Sequence, residues 1–279
     1  MKVRIIVDST ADIKEQMRHR FAVVPLTVHF GDEEFVDGVT ITHKEFYEKL
    51  VETDVLPTTS QATPAAFEEV FASVAAAGES AVVLTLSSNL SGTYQSAMIA
   101  AQEYPGQIFV VDSQSAAIGA GILAELALQL ADSGMNAQQI ADRLEQEREN
   151  VCIIAMLDTL EYLKRGGRIS KAVAFAGGIL SIKPVVSLED GQIHVLGKAR
   201  GSKQGNNLLV TEIQKAGGVD FAMPMLLGYT GISDALLRKY IADSAPMWEG
   251  RTECLPVRVV GSTVGTHAGP GAVAAAFFA

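Results

Sequence analysis

The sequence predicts an α/β protein with a mostly parallel sheet in its first half and a mixed sheet in its second. Three observations carry that expectation. Short runs rich in Val and Ile alternate with helical stretches, hydroxyl-bearing loops sit where such runs lead into helices, and an Asp190-Gly191 pair separates two strand-like runs in the second half.

Taken in order, VRIIVD (3–8), AVVPLTVHF (22–30), SAVVLTL (80–86) and QIFVVD (107–112) read as buried strands, because each is compact, apolar and bounded by polar residues. A helix is expected from Thr63-Pro64, where the threonine can cap free amides and the proline suits the first turn. Further helices are expected over 93–103 and 115–132, and from the cap Asn136 to about Asn150. A second unit then starts near Val151. VCIIAML (151–157) reads as a strand, and DTLEYLKRGG (158–167) as a helix ended by its glycine pair. The stretch 184–198 is a hairpin about Asp190-Gly191. Beyond it come a helix near 202–216, a strand near 221–228, a helix near 231–243 and a strand near 254–261.

Composition narrows the function classes. Of 279 residues, 48% are hydrophobic and 19% charged, which excludes a disordered chain. The net charge of −10 offers no global positive field for phosphates, so nucleic-acid binding is not expected. Cys152 and Cys254 are too few for a disulfide framework or a metal cluster, which suits a reducing cytoplasm. The uncharged stretch 259–279 carries four glycines, Pro270 and His267, and so does not read as a membrane span; Asp8 interrupts any leader-like start. A soluble cytoplasmic protein is expected.

The most informative loop is LSSNLSGTYQSA (86–97). Ser91, Asn89 and Gly92 lie where a strand passes into a helix, and hydroxyls with free amides at a helix N-terminus suit an anion. Thr58, Thr59, Ser60 and Gln61 form a second hydroxyl-rich cluster, read as a turn. Neither loop carries Lys or Arg, which fits one carboxylate better than a triphosphate. THAGPGA (266–272) places His267 in a glycine-rich turn. The Gly119/Gly121 pair lies inside a predicted helix, where glycine serves close packing and not a dinucleotide. Asp8 and Asp112, at strand ends, read as helix caps. Between Lys164 and Lys203 stand eight Lys and Arg against Glu189 and Asp190, a basic island in an acidic chain able to attract an acidic partner. Within it, 172–182 is small and apolar.

The ordered set VDSTAD (7–12), TSQATP (59–64), LSSNLSGTY (86–94), VVDS (110–113), LEYLKRGGRIS (160–170), LSIKPVV (180–186), GKARG (197–201) and HAGPGA (267–272) resembles the DegV family of bacterial fatty-acid-binding proteins. The resemblance spans nearly the whole chain. It implies a two-domain α/β fold, with an N-terminal domain over 1–150 that supplies carboxylate-binding loops. A C-terminal domain over 151–279 would hold the acyl-tunnel segment and a basic docking face, with the ligand between the two. It further implies one bound long-chain fatty acid, no cofactor or metal, and a separate ATP-dependent fatty acid kinase as partner. The carboxylate would be held by Thr59, Ser91 and His267, with Ser60, Asn89 and Gly92 supporting the loops; Arg168 and Arg200 would dock the kinase.

Physical reasoning agrees with a carrier. A monocarboxylate needs two or three good donors, and a long chain gains roughly 0.8 kcal/mol per buried methylene. Two alternatives stand beside it: a lipid hydrolase with Ser91 as nucleophile and His267 as base, and a lipid-sensing regulator. No carboxylate is marked by the sequence to orient His267, so no catalytic residue is expected.

Overall fold

A computed structural model of the chain describes residues 2–169 and 182–279. Strands β1 (Val3–Asp8), β2 (Phe21–Val24), β6 (Ser80–Thr85) and β7 (Ile108–Asp112) form a parallel sheet in the order β2-β1-β6-β7. All six residues of β6 are buried, as a central strand covered on both faces requires. On one face lie α2 (Pro64–Ala76) and α3 (Thr93–Ala101), bringing Phe67, Phe71 and Ala97 against Ile6 and Val83. On the other, α4 (Ala117–Asp132) and α5 (Ala137–Glu147) cover Val7, Val82 and Leu84. Thr63 caps α2 and Asn136 caps α5, each accepting from the amide three residues on.

Strands β8 (Val151–Met156), β9 (Ile182–Glu189), β10 (Gln192–Arg200), β11 (Leu226–Tyr229), β12 (Val257–Val259) and β13 (Val273–Phe278) form a mixed sheet ordered β10-β9-β8-β13-β11-β12. All its pairs are antiparallel except β11 with β12. Helices α7 (Gly201–Lys215) and α8 (Ala235–Asp243) cover its outer face, where Leu209, Leu237, Tyr240 and Trp248 pack on Leu227, Val273 and Phe277. The inner face turns toward α4, which packs against β1 and β6 on one side and against β8, β11 and β13 on the other. Gly121 of α4 has room for no side chain: a Cβ there would collide with the main-chain carbonyl of Asp12. The glycine pair in this helix therefore serves close packing.

Several expectations need correction. The run 22–30 is two strands: Pro25 carries no amide hydrogen, and the chain beyond it, β3 (Thr27–Phe30), joins β4 (Glu33–Val36) and β5 (Thr58–Ser60) in a separate antiparallel sheet. The Thr58–Gln61 cluster is therefore mainly an edge strand, not a turn. Two helices have no counterpart in the sequence reading, α1 (His43–Glu52), opened by a Thr42–Glu45 capping box, and α9 (Ser262–Ala268). His267 lies in α9 rather than in a turn. The helix expected over 158–167 is only α6 (Glu161–Arg165), followed by Gly167 in the left-handed region at φ +71. Asp8 and Asp112 cap no helix; Asp8 accepts from the Thr10 and Leu86 amides, and Asp112 from those of Ser88 and Gln114. The strand near 221–228 begins only at Leu226, after Pro224.

Candidate functional site

Between the inner face of the mixed sheet and the loops of the first half lies a cavity of about 400 Å³. That lies inside the roughly 300–1,000 Å³ usual for small-molecule pockets. Its floor comes from Ile153, Ala155 and Leu157 of the β8 stretch, Ala272 and Ala274 around β13, and Gly228 of β11. Strand alternation explains the floor: Ile154, Met156, Val273 and Phe277 point to the opposite core. Arg168 is the only Lys, Arg, Asp or Glu among the described lining residues.

The polar end collects residues distant in sequence. Thr59, on β5, and His267, on α9, are joined by a hydrogen bond of 2.9 Å between Oγ1 and Nε2. Among the described residues the buried His267 Nδ1 has no partner, and burial, with Arg168 adding to it, pushes the imidazole pKa down to about 4. The ring is therefore neutral at physiological pH. A buried N–H without an acceptor is rarer than an unused lone pair, so the proton belongs on Nε2 and is donated to Thr59. The Thr59 hydroxyl then keeps its own proton for a ligand.

Ser91 precedes α3, where its Oγ accepts from the Thr93 amide at 3.2 Å and lies 2.9 Å from Thr93 Oγ1. With Thr93 as donor in that second contact, the Ser91 hydroxyl is also free to donate. Gly92 lets the Gln61 side-chain amide lie close against it: a Cβ would push that amide aside, away from the bond it makes to Ser96 Oγ at 2.9 Å. Arg168 is half-buried at the cavity wall, and its guanidinium donates to the carbonyls of Leu90 (3.1 Å) and Gly166 (2.6 Å). Deeper in, the hydroxyls of Thr10 and Thr263 are spent on buried carboxylates, donating to Asp8 at 2.6 Å and Asp37 at 2.7 Å. Those two hydroxyls have no proton left for a head group.

The structure thus places Thr59, Ser60, Ser91, Gly92, Arg168 and His267 on one cavity, together with Gln61, which sequence reasoning left in a cluster without a role. Asn89 lies elsewhere. Its amide donates to the Asp190 carbonyl at 2.9 Å, and Ser87 donates to the Gly191 carbonyl at 2.7 Å, so this loop clamps the β9–β10 turn. Arg200 is exposed at the start of α7, away from the lining. Of the basic island, Lys183 pairs with Asp158 and Arg165 with Glu161, while 170–181, including Lys171 and most of the apolar 172–182 segment, lies outside the described residues. Among the described residues a serine–histidine catalytic pair is not assembled: His267 bonds Thr59 instead of Ser91, and no carboxylate meets its Nδ1.

Beside the cavity, two buried carboxylates fasten the start of α9 to the first half of the chain. Asp12 accepts from the Gly261 amide (2.9 Å) and Asp37 from the Thr263 amide (3.3 Å). Burial pushes Asp12 up to about 8 and Asp8 up to about 6. Among the described residues no group of three or more His, Cys, Asp or Glu is placed to hold a metal, and no helix is long and apolar enough to cross a membrane.

Fold and site define an α/β protein with a parallel and a mixed sheet enclosing an interior, largely apolar ligand pocket. The chain belongs to the DegV family, a family of uncharacterised proteins whose pattern matches residues 2–279. A DegV domain-containing protein of Caldanaerobacter subterraneus is 34% identical over 99% of this chain and 98% of the relative. Two solved structures are similar over their length. One is a DegV family protein from Thermus thermophilus described for its fatty acid binding (30% identity, TM-score 0.86, all of both chains). The other is DegV, a fatty acid binding protein from Bacillus subtilis (28% identity, TM-score 0.79, 99% of this chain and 98% of that one).

Proposed function

We propose that this chain binds one long-chain fatty acid, its carboxylate held by Thr59 and Ser91, and presents that carboxylate to a separate ATP-dependent fatty acid kinase. The observation that carries the reading is the union, in one cavity, of an apolar sheet floor with a hydroxyl pair and a single arginine at the wall. Two hydroxyls able to donate match a carboxylate, Arg168 adds favourable charge, and neutral His267, donating from Nε2, would hold Thr59 in the donating orientation. Fatty acid binding by the relatives from Thermus thermophilus and Bacillus subtilis supports the same ligand.

The head-group loops come from residues 1–150 and the floor from 151–279, the division we propose for the two domains. In the presentation step a carboxylate oxygen attacks the γ-phosphorus of ATP, the bond to ADP breaks, and acyl phosphate and ADP result. This chain supplies position and charge; the kinase supplies nucleotide and metal. Exposed Arg200 and Lys203 suit docking of an acidic kinase surface. Arg168, turned toward the cavity, suits the head group better than the docking surface.

Calorimetric titration with oleic acid, oleyl alcohol and ATP tests the binding half. The acid should bind more tightly than the alcohol, and ATP alone should not bind. Equal affinity for acid and alcohol would remove the carboxylate site. For the presentation half, Arg200→Glu should keep its lipid yet slow acyl phosphate formation by an added fatty acid kinase. An unchanged rate at low salt would take docking away from Arg200.

A further inference from the structure

Helices α6 and α9 pack against each other, and the glycine that follows each one admits a ring from the other. At Gly269, after α9, a Cβ would stand 2.2 Å from the Tyr162 ring. At Gly166, after α6, it would stand 2.1 Å from His267 Nδ1 and 2.8 Å from Cε1. Gly166 has φ −69, a value open to any residue, so the space and not the turn requires glycine here. Gly167 beside it is the converse case, at φ +71 with nothing near its Cβ position.

What Nδ1 meets at Gly166 is therefore carbon. The Gly166 amide donates to the Tyr162 carbonyl at 2.9 Å, and its carbonyl accepts from the Arg168 guanidinium at 2.6 Å, so both of its polar groups are engaged. Against such a surface a bare lone pair costs less than an N–H, which would be buried without an acceptor. Burial holds the ring neutral, at a pKa of about 4, so it keeps one proton, and that proton goes to Nε2. There it is given to Thr59 Oγ1 at 2.9 Å.

We infer that Gly166 is a positioning residue for the head group: its bare main chain, laid against Nδ1, keeps His267 in the Nε2–H form that leaves the Thr59 hydroxyl proton to the ligand. The ligand half of this rests on the fatty-acid reading above. A methyl group at 166 would drive the ring back by about 1 Å before ordinary contact at 3.4 Å was restored. A hydrogen bond of 2.9 Å does not absorb a shift of that size, so Thr59 would lose the partner that orients it.

The test has a spectroscopic arm and a binding arm. In ligand-free wild type at neutral pH, nitrogen-15 spectra of the histidine rings, assigned by the signals lost in His267→Ala, should show the His267 proton on Nε2; a proton on Nδ1 would overturn the role. Gly166→Ala should lower affinity for oleic acid by roughly tenfold, the lower end for one hydrogen bond to a charged acceptor, and nearly keep affinity for oleyl alcohol. Gly167→Ala, strained but touching nothing, should lower Tm and leave that ratio unchanged. Once His267→Ala has removed the ring, adding Gly166→Ala should lower neither the ratio nor Tm further, and this pair decides the matter if Gly166→Ala alone fails to fold. An unchanged ratio in Gly166→Ala, an equal fall in Gly167→Ala, or the same cost of Gly166→Ala with and without the ring would overturn the positioning role. Wild type that binds neither ligand would instead overturn the fatty-acid reading, with the Nε2 proton and the ring-dependent Tm cost still deciding the role of Gly166.

Discussion

Replacing Thr59 by Val removes one hydroxyl at nearly constant volume and so isolates its role at the head group. In the structure that hydroxyl accepts from His267 Nε2 and keeps its proton for the ligand. A hydrogen bond to a charged acceptor contributes about 1.5–3 kcal/mol, which corresponds to a loss of roughly ten- to a hundredfold in affinity for a carboxylate. A second cost falls on the empty protein, because His267 Nε2–H loses its acceptor. Such orphaning costs about 1–3 kcal/mol when buried, and the half-buried setting of Thr59 favours the low end. Affinity for oleic acid and oleyl alcohol should be measured by displacement of a fluorescent fatty acid, beside Tm in the ligand-free state. The variant should lose most of its preference for acid over alcohol and retain most of its alcohol binding. An unchanged preference would refute the placement of the carboxylate against Thr59, and so would an equal loss for both ligands.

Ser91→Ala should narrow the same preference by a similar factor; an unchanged ratio of acid to alcohol affinity would free Ser91 from the head group. Arg168→Gln should weaken acid binding more than alcohol binding and lower Tm slightly, since the bond to the Leu90 carbonyl joins two segments distant in sequence; identical losses for both ligands would leave it a purely structural role. Asp12 is held near 8 against an ordinary 3.8, so the folded chain keeps a proton that the unfolded chain has lost, and stability falls as pH rises across that interval. His267, at about 4 folded against 6.5 ordinarily, opposes the fall below 6.5, and Asp8 adds to it only up to about 6. The clean window is therefore pH 6.5 to 8, where Asp12→Asn should remove a decline of about 1.4 kcal/mol per unit in denaturant midpoints converted to free energy; an unchanged slope would show that Asp12 is ionised in the fold.

Much of the fold was legible because its signals are local. Thr63-Pro64 and Asn136 announce their helices through capping chemistry, and Asp190-Gly191 its hairpin through the left-handed backbone that both residues adopt, at φ +49 and +73. What was hidden depends on distant partners. The closing VAAAFF reads as a loose apolar stretch, yet becomes an inner strand of the six-stranded sheet because β8 and β11 flank it. The run 22–30 looks like one strand because hydropathy does not register that Pro25 hands the chain to another sheet. At the site, Thr59, Ser91 and His267 were named from motif resemblance and from hydroxyl chemistry at loop ends. Their convergence on one cavity is a tertiary fact. Gln61 and the cavity-facing Arg168 needed the fold, since neither residue type declares whether it faces inward. Asn89 shows the converse: a polar residue in an anion-friendly loop whose bonds go to a hairpin turn.

A cavity with this lining should hold a fatty acid in the protein as purified. The most direct measurement is mass spectrometry of small molecules released by denaturing solvent extraction from the purified, unsupplemented protein, quantified per chain. About one long-chain fatty acid per chain is expected, the stoichiometry of one interior pocket, with strong depletion in Thr59→Val combined with Ser91→Ala. A nucleotide, a nicotinamide or a sterol in stoichiometric amount, with no fatty acid, would contradict it.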